Sequence, residues 1–192
     1  MLAYLFWHTQ KPGVSVEAYE KDLGAFTRGL LNCGCPGLRS ASSFRISAVP
    51  WLGDRDGYED WAIVDELGVL ERLNVAAVSG AMAPLHGRVA DAMNAGHGGV
   101  YYRLWGELAP PDAGAAQWIT RPRGVTYGPI LQAIAESAGQ PVSVWRRFMV
   151  LGPGREFLVL GETALSLRLP PDWAAHPVRR STVPLGSCDV FP

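Results

Sequence analysis

AYLFWHTQKPGVSVEAYEKDLGAFTRGLL, residues Ala3 to Leu31, reads in unbroken order as a buried strand, a Pro-Gly turn and an amphipathic helix. From Leu2 to His8 the chain alternates Leu2, Tyr4, Phe6 and His8 with Ala3, Leu5 and Trp7, so both faces are apolar and only the last position is polar. A strand apolar on both faces belongs in the centre of a sheet. Lys11-Pro12-Gly13 breaks it. Ser15 stands at an N-cap position and Glu17 faces the positive end of the helix dipole. Val16, Tyr19, Leu23, Phe26 and Leu30 then recur at helical spacing as one stripe that packs on the sheet. Gly34 and Pro36 end the helix.

Outward from that unit, Leu38 to Val49 mixes β-branched and aromatic residues with Ser and Arg, as a partly exposed strand does, and the turn-rich run Pro50 to Gly57 follows. Tyr58 to Asp65 alternates as the next strand. It feeds a helical segment with Leu67, Leu70, Leu73, Ala77 and Val78, which Gly80 and Pro84 interrupt before Leu85, Val89 and Met93 resume it, predicting a kink or two helices. Asn94-Ala95-Gly96 closes the segment, Gly98-Gly99 turns, and Val100 to Trp105 is another strand. Strand, helix, strand, strand, helix, strand is the ferredoxin-like order, an antiparallel sheet with both helices on one face. Its other face carries Tyr, Phe and Trp and must be covered.

The remainder of the chain supplies the cover. Leu108 to Ala116, with Pro110 and Pro111, reads as a linker; Gln117 to Arg123 as a short strand; Tyr127 to Gly139 as a helix; Val142 to Leu151 and Glu156 to Gly161 as a hairpin; and Pro177 to Leu185 as a last strand. This repeats the first order, with only a short turn at Pro171 to Ala175 in place of the second helix. The expected fold class is therefore α+β: two ferredoxin-like units, residues 1–108 and a reduced 117–192 joined by a linker at 109–116, packed sheet to sheet as an α/β barrel.

Composition narrows the function classes. With 192 residues, 48% hydrophobic and 18% charged, the chain can bury a substantial core. A net charge of -1, with Lys and Arg not gathered into a block, gives no footprint for nucleic acid. The start has no basic n-region followed by a long apolar run, and no stretch reads as a membrane span, so no membrane partner is expected. Cys33, Cys35 and Cys188 make no disulfide framework and lack zinc-site spacing, which points to a reducing, cytoplasmic setting with the thiols as small apolar fillers.

The run Lys11-Pro12-Gly13-Val14-Ser15-Val16-Glu17-Ala18-Tyr19 resembles the start of the EthD family, whose members open with a strand, a KPG-type turn, a Ser-led helix start and an aromatic at that helical position. EthD-like proteins belong to the dimeric α/β-barrel superfamily, beside antibiotic-biosynthesis monooxygenases, muconolactone isomerases and haem-binding relatives. The resemblance implies two ferredoxin-like units packed around a pocket. It covers the first strand and helix well, the first half by element order only, and the second half hardly at all. EthD-like helices carry a His further along; the matching position here is Thr27, so no role of that His transfers.

Among residues able to do chemistry, His8 at a strand end suits proton transfer, with an unperturbed pKa of about 6.5, against the plainer reading of a histidine hydrogen-bonded at a strand end. His86 reads as a helix-face residue, and His97 and His176 as loop residues. No HxxxH, HExxH or paired CxxC occurs, so no metal or haem is expected, and GxSxG and GxxxxGK[ST] are absent as well. If Ala3, Leu5 and Trp7 take the helix-covered face, Tyr4, Phe6 and His8 face the second unit. Alternation on later strands then adds Arg103, Trp105, Trp145 and Arg147 to a shared cavity, where the arginines hold an anionic or carbonyl group. The leading reading is a small-molecule enzyme or binder for a hydrophobic or aromatic compound, of the kind of a cofactor-independent oxygenase or isomerase, with a homodimer as a further partner to consider. The alternative is a noncatalytic oligomerisation or interaction protein whose aromatic faces serve only packing.

Overall fold

The computed structural model describes residues 1–149 and 151–186. The first half contributes strands β1 (Leu2–Gln10), β2 (Leu38–Val49), β3 (Arg55–Val64) and β4 (Met93–Gly106), with helices α1 (Val16–Asn32), α2 (Leu67–Ala77) and α3 (Met82–Ala92). The second contributes β5 (Ala115–Thr120), α4 (Gly128–Ser137), β6 (Val142–Arg147), β7 (Phe157–Gly161) and β8 (Ala174–Thr182). All strands join one closed antiparallel barrel in the order β1-β3-β2-β8-β5-β7-β6-β4. Within it, β4-β1-β3-β2 and β8-β5-β7-β6 are the same ferredoxin-like order written twice, and the halves meet along the seams β2–β8 and β4–β6. Closure removes the free strand edges of both sheets.

The helix-forming signals act where the sequence puts them. Ser15 Oγ accepts the Ala18 amide at 3.2 Å and caps α1, which buries Tyr19, Leu23 and Thr27, and Gly34 follows the helix at φ 69°. The interrupted segment is two helices, α2 and α3, parted near Gly80 (φ 52°). α4 packs Ile130 and Ile134 against Ile119, Val144, Phe157 and Val159 on the outside of the second half.

Several boundaries differ from expectation. Asn94 to Gly99 is strand, because β4 begins at Met93. Its glycines do not make a turn; they leave room for rings. A Cβ on Gly96 would lie 2.4 Å from Phe6 Cζ, and one on Gly98 2.6 Å from the Tyr4 hydroxyl. His97 and His176 are thereby strand residues, opposite Trp7 and Trp118. The proposed linker holds only a 3-10 turn at Pro110–Asp112 before β5 begins at Ala115, and β8 starts at Ala174, ahead of Pro177. Cys188 lies outside the described residues.

The barrel interior is filled with aromatic side chains. Trp7, Trp51 and Trp118 meet edge to face at centroid separations of 4.9–5.4 Å, and Trp61 meets Trp145 at 5.2 Å. Such T-shaped contacts are the preferred approach of aromatic quadrupoles. One ion pair crosses this core: Arg180 Nε of β8 lies 3.3 Å from Glu59 Oε1 of β3. The Trp7 and Trp61 indoles each donate to the Glu59 carboxylate at 2.8 Å, while Arg180 Nη1 donates to the carbonyls of Pro110 and Ala113. Burial lowers the Arg180 pKa to about 10, against the pull of Glu59, which leaves the guanidinium charged at neutral pH.

Candidate functional site

The face assignment of β1 is the reverse of the expected one. Ala3, Leu5 and Trp7 point into the barrel with Trp61 and Trp118, whereas Tyr4, Phe6 and His8 lie on the outer face beneath α1, α2 and α3. Both faces of β1 are apolar, so alternation alone could not choose between them. Cross-strand partners choose. β3 places Glu59 and Trp61 beside Trp7 and Leu5, giving the Trp7 indole a buried acceptor, and α1 brings Tyr19 over the other face to meet His8.

Between that outer face and the helices is a cavity of about 420 Å³. Its floor includes Tyr4, Phe6, His8 and Asp60; Phe26, Thr27 and Leu30 of α1 and Leu70 and Leu73 of α2 close over it; Asn74 and Val78 are exposed at its rim. The volume falls in the usual range for a small organic ligand. Most of the wall is apolar, and its polar groups are few.

Two of those groups, His8 and Asp60, form a chain with the buried Tyr19 behind them. His8 is 1% exposed; its Nδ1 lies 2.6 Å from the Tyr19 hydroxyl and its Nε2 3.0 Å from Asp60 Oδ2. Both contacts are satisfied when Tyr19 donates to Nδ1 and Nε2–H donates to the carboxylate. Asp60 lines the cavity, and its other oxygen, Oδ1, is buried without a hydrogen-bond partner among the described residues. Phe6 and Tyr58 stack against the imidazole at 5.5 and 5.4 Å, holding the ring in place. Nearby, Thr27 Oγ1 donates to the Leu23 carbonyl and meets Ser43 Oγ at 2.7 Å. Thr27, at the position where the EthD resemblance sets a histidine, is thus a wall residue tied to its own helix and to β2.

The phenols around this chain resist ionisation. Burial, then the charge of Asp60, raises Tyr19 far above its ordinary value, and the same causes raise Tyr4. Tyr58 is pushed up to about 12 by burial and then by Glu20, and burial raises Tyr101 in the barrel strongly. An unfolded tyrosine ionises near pH 10, so the stability these phenols carry is complete below about pH 10 and is lost as pH rises above it. In a spectrophotometric titration of the native protein, Tyr19 and Tyr101 should therefore stay protonated until the chain unfolds. Tyrosinate signal from all six tyrosines while far-UV circular dichroism is still native would contradict this.

The other expected site residues are dispersed. Trp145 is buried in the barrel interior against Trp61. Arg103 pairs with Glu107 at 3.0 Å, and Trp105, displaced by the register shift after Arg103, is 44% exposed. Arg147 donates through Nη1 to the carbonyls of Gly152 and Gly154. The space expected between the two units holds the tryptophans, so Tyr4, Phe6 and His8 share a cavity but Arg103, Trp105, Trp145 and Arg147 are not part of it. His86 lines the cavity, its ring against the edge of Phe26 at 5.8 Å.

Asp60, Tyr19, Thr27 and Ser43 did not emerge from the sequence as site residues. Asp60 had a detectable sign, a carboxylate between Tyr58 and Ala62 on one face of a strand. Tyr19 was indistinguishable from any core aromatic of the helix stripe. Among the described residues no group of three or more His, Cys, Asp or Glu side chains is placed to hold a metal ion, and no helix is long and apolar enough to cross a membrane.

No family model matches this sequence, and no curated protein matches it. Solved structures with a similar course of the chain include a protein of Arabidopsis thaliana, 10% identical over 56% of this chain and 100% of its own, TM-score 0.43. An anthrone oxidase-like protein is 11% identical over 97% of this chain and 94% of its own, TM-score 0.47. A proposed monooxygenase of Lactobacillus acidophilus is 8% identical over 96% of both chains, TM-score 0.49.

Proposed function

We propose that this chain is a small-molecule enzyme that takes a flat hydrophobic compound into the cavity of its first half and moves a proton through Asp60, with His8 orienting the carboxylate. The observation that carries this reading is the Tyr19–His8–Asp60 chain ending in Asp60, a residue of the wall of an apolar cavity whose Oδ1 is buried without a hydrogen-bond partner among the described residues. A buried carboxylate oxygen with no donor is costly unless something supplies one. An acidic O–H or C–H of a bound ligand is such a donor. Asp60 accepts that proton, His8 holds the carboxylate in place through Nε2–H, and Tyr19 keeps the imidazole in the matching tautomer. The ligand anion, its charge spread over an aromatic system, then either takes a proton back at another carbon, an isomerisation, or reacts with dioxygen as second substrate. Both outcomes suit the EthD-like activities that the KPG-Ser helix start brings to mind, and neither calls on a bound metal.

The reading as a noncatalytic oligomerisation protein has less support. The closed barrel leaves no sheet edge for a second copy to complete, and packing alone gives no reason for a cavity of this size. The test is binding of hydroxylated naphthalenes and anthracenes, followed by tryptophan quenching and by product analysis under air. At least one member of the panel is expected to bind at micromolar to millimolar concentration, and Ala77→Phe, which fills the cavity from α2, should weaken it at least about tenfold, the cost of displacing a well-buried ring. No binding by any member, or binding unchanged in the filled variant, would remove the proposal.

A further inference from the structure

A second concave site lies at the β4–β6 seam between the halves, where these strands and the segment after β5 meet. Its pocket, about 570 Å³, is lined by Tyr102, Arg121, Arg146, Arg147, Phe148 and Met149 together with Glu156. Three arginines and one glutamate line it; two of the guanidinium groups meet the carboxylate, and the third, Arg147, donates through Nη1 to the carbonyls of Gly152 and Gly154. Glu156 accepts Arg121 Nε at 3.0 Å through Oε2 and Arg146 Nε at 3.1 Å through Oε1, so a single negative charge is shared by two cations. Arg146 also donates to the Tyr102 hydroxyl and lies over the Tyr127 ring at 4.7 Å, which holds its plane fixed. Arg147 contributes a third charge; its Nε is buried without a partner among the described residues.

Arginines collected in a hollow repel one another, and one glutamate does not offset three of them. Their geometry suits a planar or tetrahedral oxyanion, which a guanidinium fork binds through paired hydrogen bonds. The site also has a counterpart in the fold. In the doubled strand order β5 is the counterpart of β1, and Arg121 follows β5 as His8 stands near the end of β1. Each half thus carries its polar groups at the same end of its sheet, a proton-handling set in the first and an arginine set in the second.

We infer that the Arg121–Arg146–Arg147 hollow is an anion-binding site for the phosphate or carboxylate group of a small organic molecule, separate from the cavity of the first half. Tyr102 and Phe148 supply a ring surface beside the charges for the organic part.

Isothermal titration of the intact protein with inorganic phosphate and, separately, with citrate tests this at fixed ionic strength. Saturable binding of one anion per chain is expected for at least one of them, and the preferred anion distinguishes a phosphate group from a carboxylate. Arg121→Gln, whose side chain is held by surface contacts, should weaken binding at least about tenfold, the cost of one charge-assisted contact, while the anion-free melting temperature moves by only a few degrees. Arg146→Gln should do the same; if it fails to fold because its ring contacts are lost, Arg121→Gln and Arg147→Gln decide. The absence of saturable binding by either anion, or binding that survives both folded arginine substitutions, overturns the proposal.

Discussion

Glu59→Gln is expected to destabilise the protein by about 3–5 kcal/mol, the usual cost of leaving one member of a buried ion pair without its partner. Glu59 is 1% exposed, and the Arg180 side chain has no exposure at all. The amide keeps the shape but removes the charge that answers Arg180. It also turns one of two acceptor atoms into a donor, and both accept an indole N–H from Trp7 or Trp61. The damage falls on a joint between the halves, since Glu59 comes from β3 and Arg180 from β8, and Arg180 also fastens the carbonyls of Pro110 and Ala113 in the connection. For a chain of this size about 2–4 °C is lost per kcal/mol, so the melting temperature should fall by roughly 6–20 °C. Replacing both partners with apolar residues, Glu59→Leu with Arg180→Met, should recover much of the loss, because no unpaired charge remains. Chemical denaturation of the two variants measures both effects. A single substitution costing under about 1 kcal/mol, on the scale of an exposed ion pair, would show that Arg180 finds another way to settle its charge.

Asp60→Asn is the second large effect, and it falls on turnover rather than on folding. With any hydroxyarene of the panel that the protein converts, kcat should drop about 10²- to 10⁴-fold, the range supplied by a positioned general base, while the dissociation constant changes by less than a factor of three. The amide can still face the cavity and still meet His8, but it takes no proton. His8→Ala should lose nearly as much, since the carboxylate then lacks its orienting donor. Tyr19→Phe removes only the hydroxyl that meets His8 Nδ1 and should cost less, about tenfold. Stopped-flow or steady-state rates beside equilibrium binding separate these roles. If Asp60→Asn retains a rate within tenfold of the parent, the proton is handled elsewhere; if His8→Ala keeps full affinity and rate, the histidine is structural and only its role is withdrawn.

Local chemistry made the first half readable. The Ser15 cap, the Lys11-Pro12-Gly13 break and the Tyr19–Leu23–Phe26 stripe are short-range signals, and each acts in the structure as its own few residues require. The doubled strand order was legible for the same reason, because turns and periodicity are properties of neighbours in sequence. The glycines of β4 misled because a glycine that makes room for Phe6 or Tyr4 looks, in one dimension, like a glycine that turns the chain.

Which face of β1 looks inward was beyond the sequence. A strand apolar on both sides has no preferred face until its neighbours assign one, and here the deciding groups are Glu59, 52 residues away from Trp7, and Tyr19, whose hydroxyl meets His8 only after α1 has folded back over the sheet. The position of the cavity follows from that choice. The sequence determined that His8 would stand at the end of a central strand among aromatic rings; the tertiary structure decided that the rings of the barrel would fill its centre, that the empty space would lie under the helices, and that Asp60 would be the carboxylate His8 meets, because burial and pairing across strands are settled only when distant segments compete for the same volume.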